Sequence, residues 1–209
     1  VNARQEALAL IALLLQYPDE ALSAGRDEFT ATARNLPADA TRAALLDFLD
    51  WYGEQPPFEL AQHYVETFDL RRRTSLYLTY YLHGDTRRRG MAMLVLKQRY
   101  RAAGLAPPED ELPDYLPVVC EFAALLGPGA GEAPLRQHRT GLELIRAGLH
   151  DAGSPYALLL GALTTLMGEL SEADRAAVLA LAADGPPDEE VGLAPFAPPD
   201  YLTGTEIRA

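Results

Sequence analysis

Residues 64–90 read YVETFDLRRRTSLYLTYYLHGDTRRRG, and the reading of the whole chain turns on this stretch. Two arginine runs, Arg71-Arg72-Arg73 and Arg87-Arg88-Arg89, interrupt an apolar pattern. The aromatic residues Tyr64, Phe68, Tyr77, Tyr80 and Tyr81 recur there at helical spacing. Thr74 or Ser75 is placed to cap the piece that carries Tyr77 and Tyr80. Gly84-Asp85-Thr86 stops that piece, and Asp85 or Thr86 can cap a further helix to about residue 103. Its first turn then holds three cations at the positive end of the helix dipole, each unfavourable by about 0.3 kcal/mol or more. A chain that breaks a local rule often does so at a functional site. The competing reading is that these arginines pair with Glu66, Asp69 or Asp85 and brace two helices.

Outward from this block, amphipathic periodicity predicts helices over residues 3–16, 20–36, 41–52, 59–68, 113–126, 135–149, 156–170 and 172–183. Proline punctuates them at Pro18, Pro37, Pro56-Pro57 and Pro107-Pro108. Asp39 or Thr41, Ser154 with Pro155, and Ser171 are placed at helix starts. The Gly- and Pro-rich residues 127–133 read as a mobile hinge. Alanine and leucine dominate while β-branched residues are few. The expected fold is therefore all-α: one helical bundle over residues 1–184, then an extended tail over 185–209, where prolines and acids alternate. A chain of 209 residues can bury one substantial core, hiding about 70% of its unfolded surface.

Charge excludes more than it assigns. The chain carries -12 overall, yet residues 61–110 are net +4 between acidic flanks of -6 and -10. That balance argues against nucleic-acid binding, which rests on neutralising phosphates. It favours a basic partner, or an anionic contact confined to the central segment. No apolar run is long enough to span a bilayer. Residues 8–15 lack the basic start and the small-residue cleavage site of a signal peptide. One cysteine, Cys120, leaves no internal disulfide and no cysteine metal cluster, so a reducing cytoplasm is the expected compartment.

The segment Glu111-Leu112-Pro113-Asp114-Tyr115-Leu116-Pro117 is the other distinctive one. Asp114 can cap a helix beginning at Tyr115, with Pro117 tolerated in its first turn. Alternatively Glu111, Asp114 and Glu121 form an acidic rim beside the tyrosines. Aromatic stripes are more often core than site, but tyrosine also suits a groove that receives a peptide. His63, His83, His138 and His150 have no metal-ligand spacing. A phosphate-binding glycine loop, a nucleophile elbow and a paired-cysteine motif are all missing from the sequence, which offers no catalytic candidate.

Residues 64–81 followed by Gly84-Asp85-Thr86-Arg87-Arg88-Arg89-Gly90 resemble the respiratory nitrate reductase assembly chaperones. These form the NarJ branch of the TorD/DmsD group of redox-enzyme maturation chaperones. Residues 112–124, LPDYLPVVCEFAA, resemble a second signature of that branch, and Tyr17-Pro18 is also typical. One departure is Tyr115, where the family often has histidine, so any role of that imidazole does not carry over.

The resemblance implies a TorD-like helical bundle without catalytic activity or a cofactor of its own. It implies cytoplasmic binding of the N-terminal segment of the nitrate reductase catalytic (alpha) subunit. The client would be held competent for molybdenum cofactor insertion, and its membrane docking delayed. Association would be transient, with no nucleic acid and no stable membrane attachment. On this reading Tyr64, Phe68, Tyr77 and Tyr80 line or support a groove, with Ser75 and Tyr115 beside them. Asp69, Asp85, Glu111, Asp114 and Glu121 supply negative charge for a basic amphipathic segment. Arg71, Arg87 and Arg88 lock the helices or meet an acidic part of the client. The alternatives are a chaperone for another molybdoenzyme with a twin-arginine leader, a nucleotide or cofactor carrier that clamps phosphate with arginine, and a helical scaffold without a client.

Overall fold

The computed structural model describes residues 2–106 and 110–185; the proline pair 107–108 and the tail from residue 186 lie outside them. Among the described residues the architecture is all-helical, as expected, with α1 (Ala3–Leu14), α2 (Glu20–Ala24), α3 (Arg26–Asn35), α4 (Ala40–Glu54), α5 (Pro57–Tyr64) and α6 (Leu78–His83) in the first half. The second half holds α7 (Arg87–Ala102), α8 (Leu116–Leu126), α9 (Ala133–Gln137), α10 (Arg139–Asp151), α11 (Tyr156–Leu166) and α12 (Glu172–Asp184). A π-helical turn, Val65–Asp69, and a 3-10 turn, Arg72–Thr74, connect α5 to α6.

The core forms where the most apolar helices meet. Helix α1 starts on a reciprocal cap between Asn2 and Gln5 and buries Leu8, Ile11 and Leu14 against α8. Helix α11 buries Tyr156, Leu159, Leu160 and Leu163, flanked by α4 on one side and α10 on the other. Leu45, Phe48 and Tyr52 of α4 and Leu142, Ile145 and Leu149 of α10 close that layer. Each such leucine contributes about 1.5–3 kcal/mol by leaving water. Helix α7 stands apart from this core. It packs on α6, and its Leu96 and Tyr100 form a second small cluster with Phe122 of α8.

Several boundaries differ from the sequence reading, each for a local reason. The expected helix 20–36 breaks at Gly25, which ends α2 and begins α3. The expected helix 59–68 starts at Pro57, a favoured first position, and widens into the π turn after Tyr64. The expected helix 135–149 is divided at His138. The 127–133 segment is not an open hinge. Its Glu132 is buried and held by Arg4 of α1 at 2.5 Å and by Arg136. Asp39 and Ser171 cap α4 and α12 as expected.

Candidate functional site

Two segments far apart in sequence are clasped together. The Leu78 amide donates to the Asp114 carbonyl at 3.0 Å, and the Leu116 amide to the Leu76 carbonyl at 2.8 Å, framing an antiparallel bridge between Tyr77 and Tyr115. The clasp brings the tyrosines of residues 76–81 against the Pro-Asp-Tyr turn.

Asp114 fixes the clasp from inside. Its side chain is fully buried, and its Oδ2 accepts from the Thr79 amide at 3.2 Å and from the Thr79 hydroxyl at 2.5 Å. It therefore supplies an acceptor to the first turn of α6, and not to α8 as the sequence suggested; α8 starts at Leu116, with Tyr115 at the N-cap and no side-chain cap. The expected acidic rim of Glu111, Asp114 and Glu121 is likewise corrected. Asp114 has no exposed surface, and Glu121 lies with Tyr100, Val118 and Phe122 around a separate hollow of about 110 Å³.

Arg89 closes the arrangement. Its guanidinium lies 3.7 Å from Asp114, 2.9 Å from Asp85 one helical turn before it, and over the rings of Tyr77 and Tyr80 at 5.8 and 6.0 Å. Bracing thus accounts for this arginine, while Arg87 and Arg88 lie exposed on α7. Asp85 does not cap α7: its carboxylate meets Arg89, and the Thr86 hydroxyl donates back to the His83 carbonyl.

The tyrosines form a continuous band. Tyr17 packs edge-on against Tyr64 at 5.6 Å, the Tyr64 and Tyr115 hydroxyls lie 2.8 Å apart, and the Tyr115 ring meets Tyr77 at 5.6 Å. The Tyr64 hydroxyl also donates to the Leu15 carbonyl at 3.0 Å. Tyr64 and Phe68 are buried and support the band as part of the core, whereas Tyr77, Tyr80 and Tyr115 are half-buried and Tyr17 is exposed. Tyr77 donates to Glu111 at 3.2 Å. Burial first, then the neighbouring Glu111 carboxylate, pushes its hydroxyl up to about 12. Asp69 is exposed and acts electrostatically on both Tyr64 and Tyr115. Leu70 and Leu112, adjoining the two acids in sequence, are exposed.

The remaining expected residues fall around the band. The half-buried Ser75 gives its carbonyl to the Tyr81 hydroxyl at 2.9 Å. Arg71 is exposed before the 3-10 turn, close enough to act on His63. Beyond Tyr80, a cavity of about 230 Å³ opens between Arg72, Arg73, Leu144, Gly148 and Leu181. Sequence reasoning passed over Thr79 and gave Arg89 a place only in the competing reading, as one of the run that pairs with Glu66, Asp69 or Asp85; of these the structure shows Asp85, four residues before it.

The Cys120 thiol is buried and pushed up by desolvation, and burial holds His63 and His138 below the usual histidine value. Among the described residues no group of His, Cys, Asp and Glu could hold a metal ion. Nor is any helix among them long and apolar enough to cross a membrane.

A family described as "Nitrate reductase delta subunit" matches residues 33–160, which contain both halves of the clasp and most of the band. The chain belongs to the nitrate reductase delta subunit family. Within it, the chain is 35% identical over 160 residues to a probable nitrate reductase molybdenum cofactor assembly chaperone, NarJ, of Bacillus subtilis, covering 77% of this chain and 87% of that protein. It is 34% identical over 173 residues to the nitrate reductase molybdenum cofactor assembly chaperone NarJ of Escherichia coli, covering 81% and 73%. It is also 39% identical over 161 residues to the nitrate reductase-like protein NarX of Mycobacterium tuberculosis; there it covers 76% of this chain but spans only 24% of the relative's length.

Proposed function

We propose that this delta-family chain is a system-specific chaperone of nitrate reductase. It binds the N-terminal segment of the catalytic subunit, keeps that subunit competent for molybdenum cofactor insertion, and delays membrane docking until maturation. The cofactor belongs to the client, and the chain acts in the cytoplasm without catalysis. The observation that carries this reading is the half-exposed tyrosine band of Tyr17, Tyr115, Tyr77 and Tyr80, bordered by Asp69, Glu111 and Asp85. An amphipathic helix lays its apolar face on such rings and its cations on such carboxylates. Micromolar affinity needs only about 8 kcal/mol, within reach of a few aromatic anchors. Moderate affinity also permits release once the client is loaded.

Calorimetric titration with the N-terminal peptide of the catalytic subunit, beside a scrambled control, tests this reading. Binding should be micromolar, weakened by salt, lost on scrambling, and reduced about tenfold or more by Tyr77→Ala or Tyr80→Ala. Equal heats from native and scrambled peptides would refute sequence-specific client recognition.

A further inference from the structure

Helix α7 carries a surface that the tyrosine band does not use. Residues 86–108 contain no acid, yet the helix holds Arg87, Arg88, Arg89, Lys97, Arg99 and Arg101. Its middle exposes Met91 at 63%, Leu94 at 43% and Val95 at 46%, spaced three and four residues apart. At about 100° per residue these three form one stripe, with Arg88 and Arg99 along one edge and Lys97 and Arg101 along the other. The opposite face, through Leu96 and Tyr100, is anchored on Phe122. Thus α7 is a basic amphipathic helix held on the outside of an acidic protein with its apolar stripe facing outward.

We propose that this face of α7 docks reversibly on a lipid bilayer carrying anionic phospholipid. The apolar side chains enter the headgroup boundary while the flanking cations, on long aliphatic stems, reach the phosphates. Charge complementarity selects the occupant. A second copy meeting α7 about a two-fold axis would set cations against cations. A partner that wraps a helix needs its inner face, which Phe122 already covers. A flat anionic surface needs only the outer one. With -12 on the whole chain, the acidic flanks are repelled from such a surface while this face is drawn to it, so binding is oriented, weak and sensitive to salt.

Co-sedimentation of the full chain with vesicles of phosphatidylcholine alone, or mixed equally with phosphatidylglycerol, tests the proposal. The chain should pellet only with the anionic vesicles and return to solution when salt is raised. Met91→Glu with Val95→Glu should weaken pelleting by about tenfold or more, and Lys97→Glu with Arg101→Glu should do the same while circular dichroism and melting temperature are unchanged. A chain that ignores anionic vesicles at low salt, or pellets equally at high salt, overturns the proposal without any variant. Capture of an acidic amphipathic peptide while the vesicles are ignored overturns it in favour of a protein partner. Client titration with the charge variants should be unaffected, so the two readings fail separately.

Discussion

Asp114 is the residue whose placement matters most to the site. Its carboxylate has left water entirely; Thr79 and Arg89 serve its Oδ2, while its Oδ1 has no hydrogen-bond partner among the described residues. Removing one partner of a buried pair costs more than the pair contributes, because the other charge is left unmatched. Asp114→Ala should therefore lower stability by about 3 kcal/mol in urea unfolding. Asp114→Asn should cost less, since an amide oxygen still accepts from Thr79. Both should also weaken client binding, because the clasp orients Tyr77 and Tyr115. Little of this was legible in the sequence. A Pro-Asp-Tyr turn announces a local cap, and the acceptor's true use, on a helix 35 residues earlier in the chain, depends on tertiary contact.

At the scale of elements, close approach governs the connection beneath the band. Helix α10 meets the 3-10 turn Arg72–Thr74 at Gly148, where a Cβ would lie 3.0 Å from the Arg73 carbonyl oxygen and 3.2 Å from the Thr74 methyl. Overpacking against backbone costs about 1–3 kcal/mol, partly offset by about 1 kcal/mol of helix propensity. Gly148→Ala should accordingly destabilise by about 1 kcal/mol, read from the urea midpoint at unchanged slope. Helix ends marked by short-range chemistry were readable in advance: Pro18, Gly84, Asp39 and Ser171 act on their immediate neighbours. The π turn Val65–Asp69 and the break at His138 were not. Periodicity over a dozen residues does not resolve one extra residue in a turn, and packing decides it.

For the molecule as a whole, the direction of the pH response follows from its buried bases. His63 lies between Trp51 and Tyr156, with Nε2 2.9 Å from the Ser154 hydroxyl. His63, His83 and His138 are all held below the ordinary value of 6.5, mainly by burial. Between those lowered values and 6.5 the unfolded chain binds more protons than the native one, so stability is full above 6.5 and falls as pH drops through that window. Glu132 adds a second loss. The hydrogen bond from Arg4 holds it below its ordinary 4.5, so its contribution is present above 4.5 and disappears as pH falls through the lowered value. Melting temperature should thus decline in two stages on acidification, and Arg4→Ala should remove most of the second. A profile flat from neutral pH to below 4.5 would contradict both assignments.

The Tyr77–Tyr115 bridge has a temporal consequence. It closes the stretch carrying α7 into a loop whose small cluster, around Leu96 and Tyr100, lies apart from the main core. Such a unit opens by itself at lower free energy than the whole. In heavy water the α7 amides should exchange their hydrogens through this partial opening. The amides of Leu78 and Leu116, bonded across the bridge, should exchange at the slow rate of α1 and α11. The chain would then lose its outer helix and regain it many times while the surface behind the bridge stays assembled.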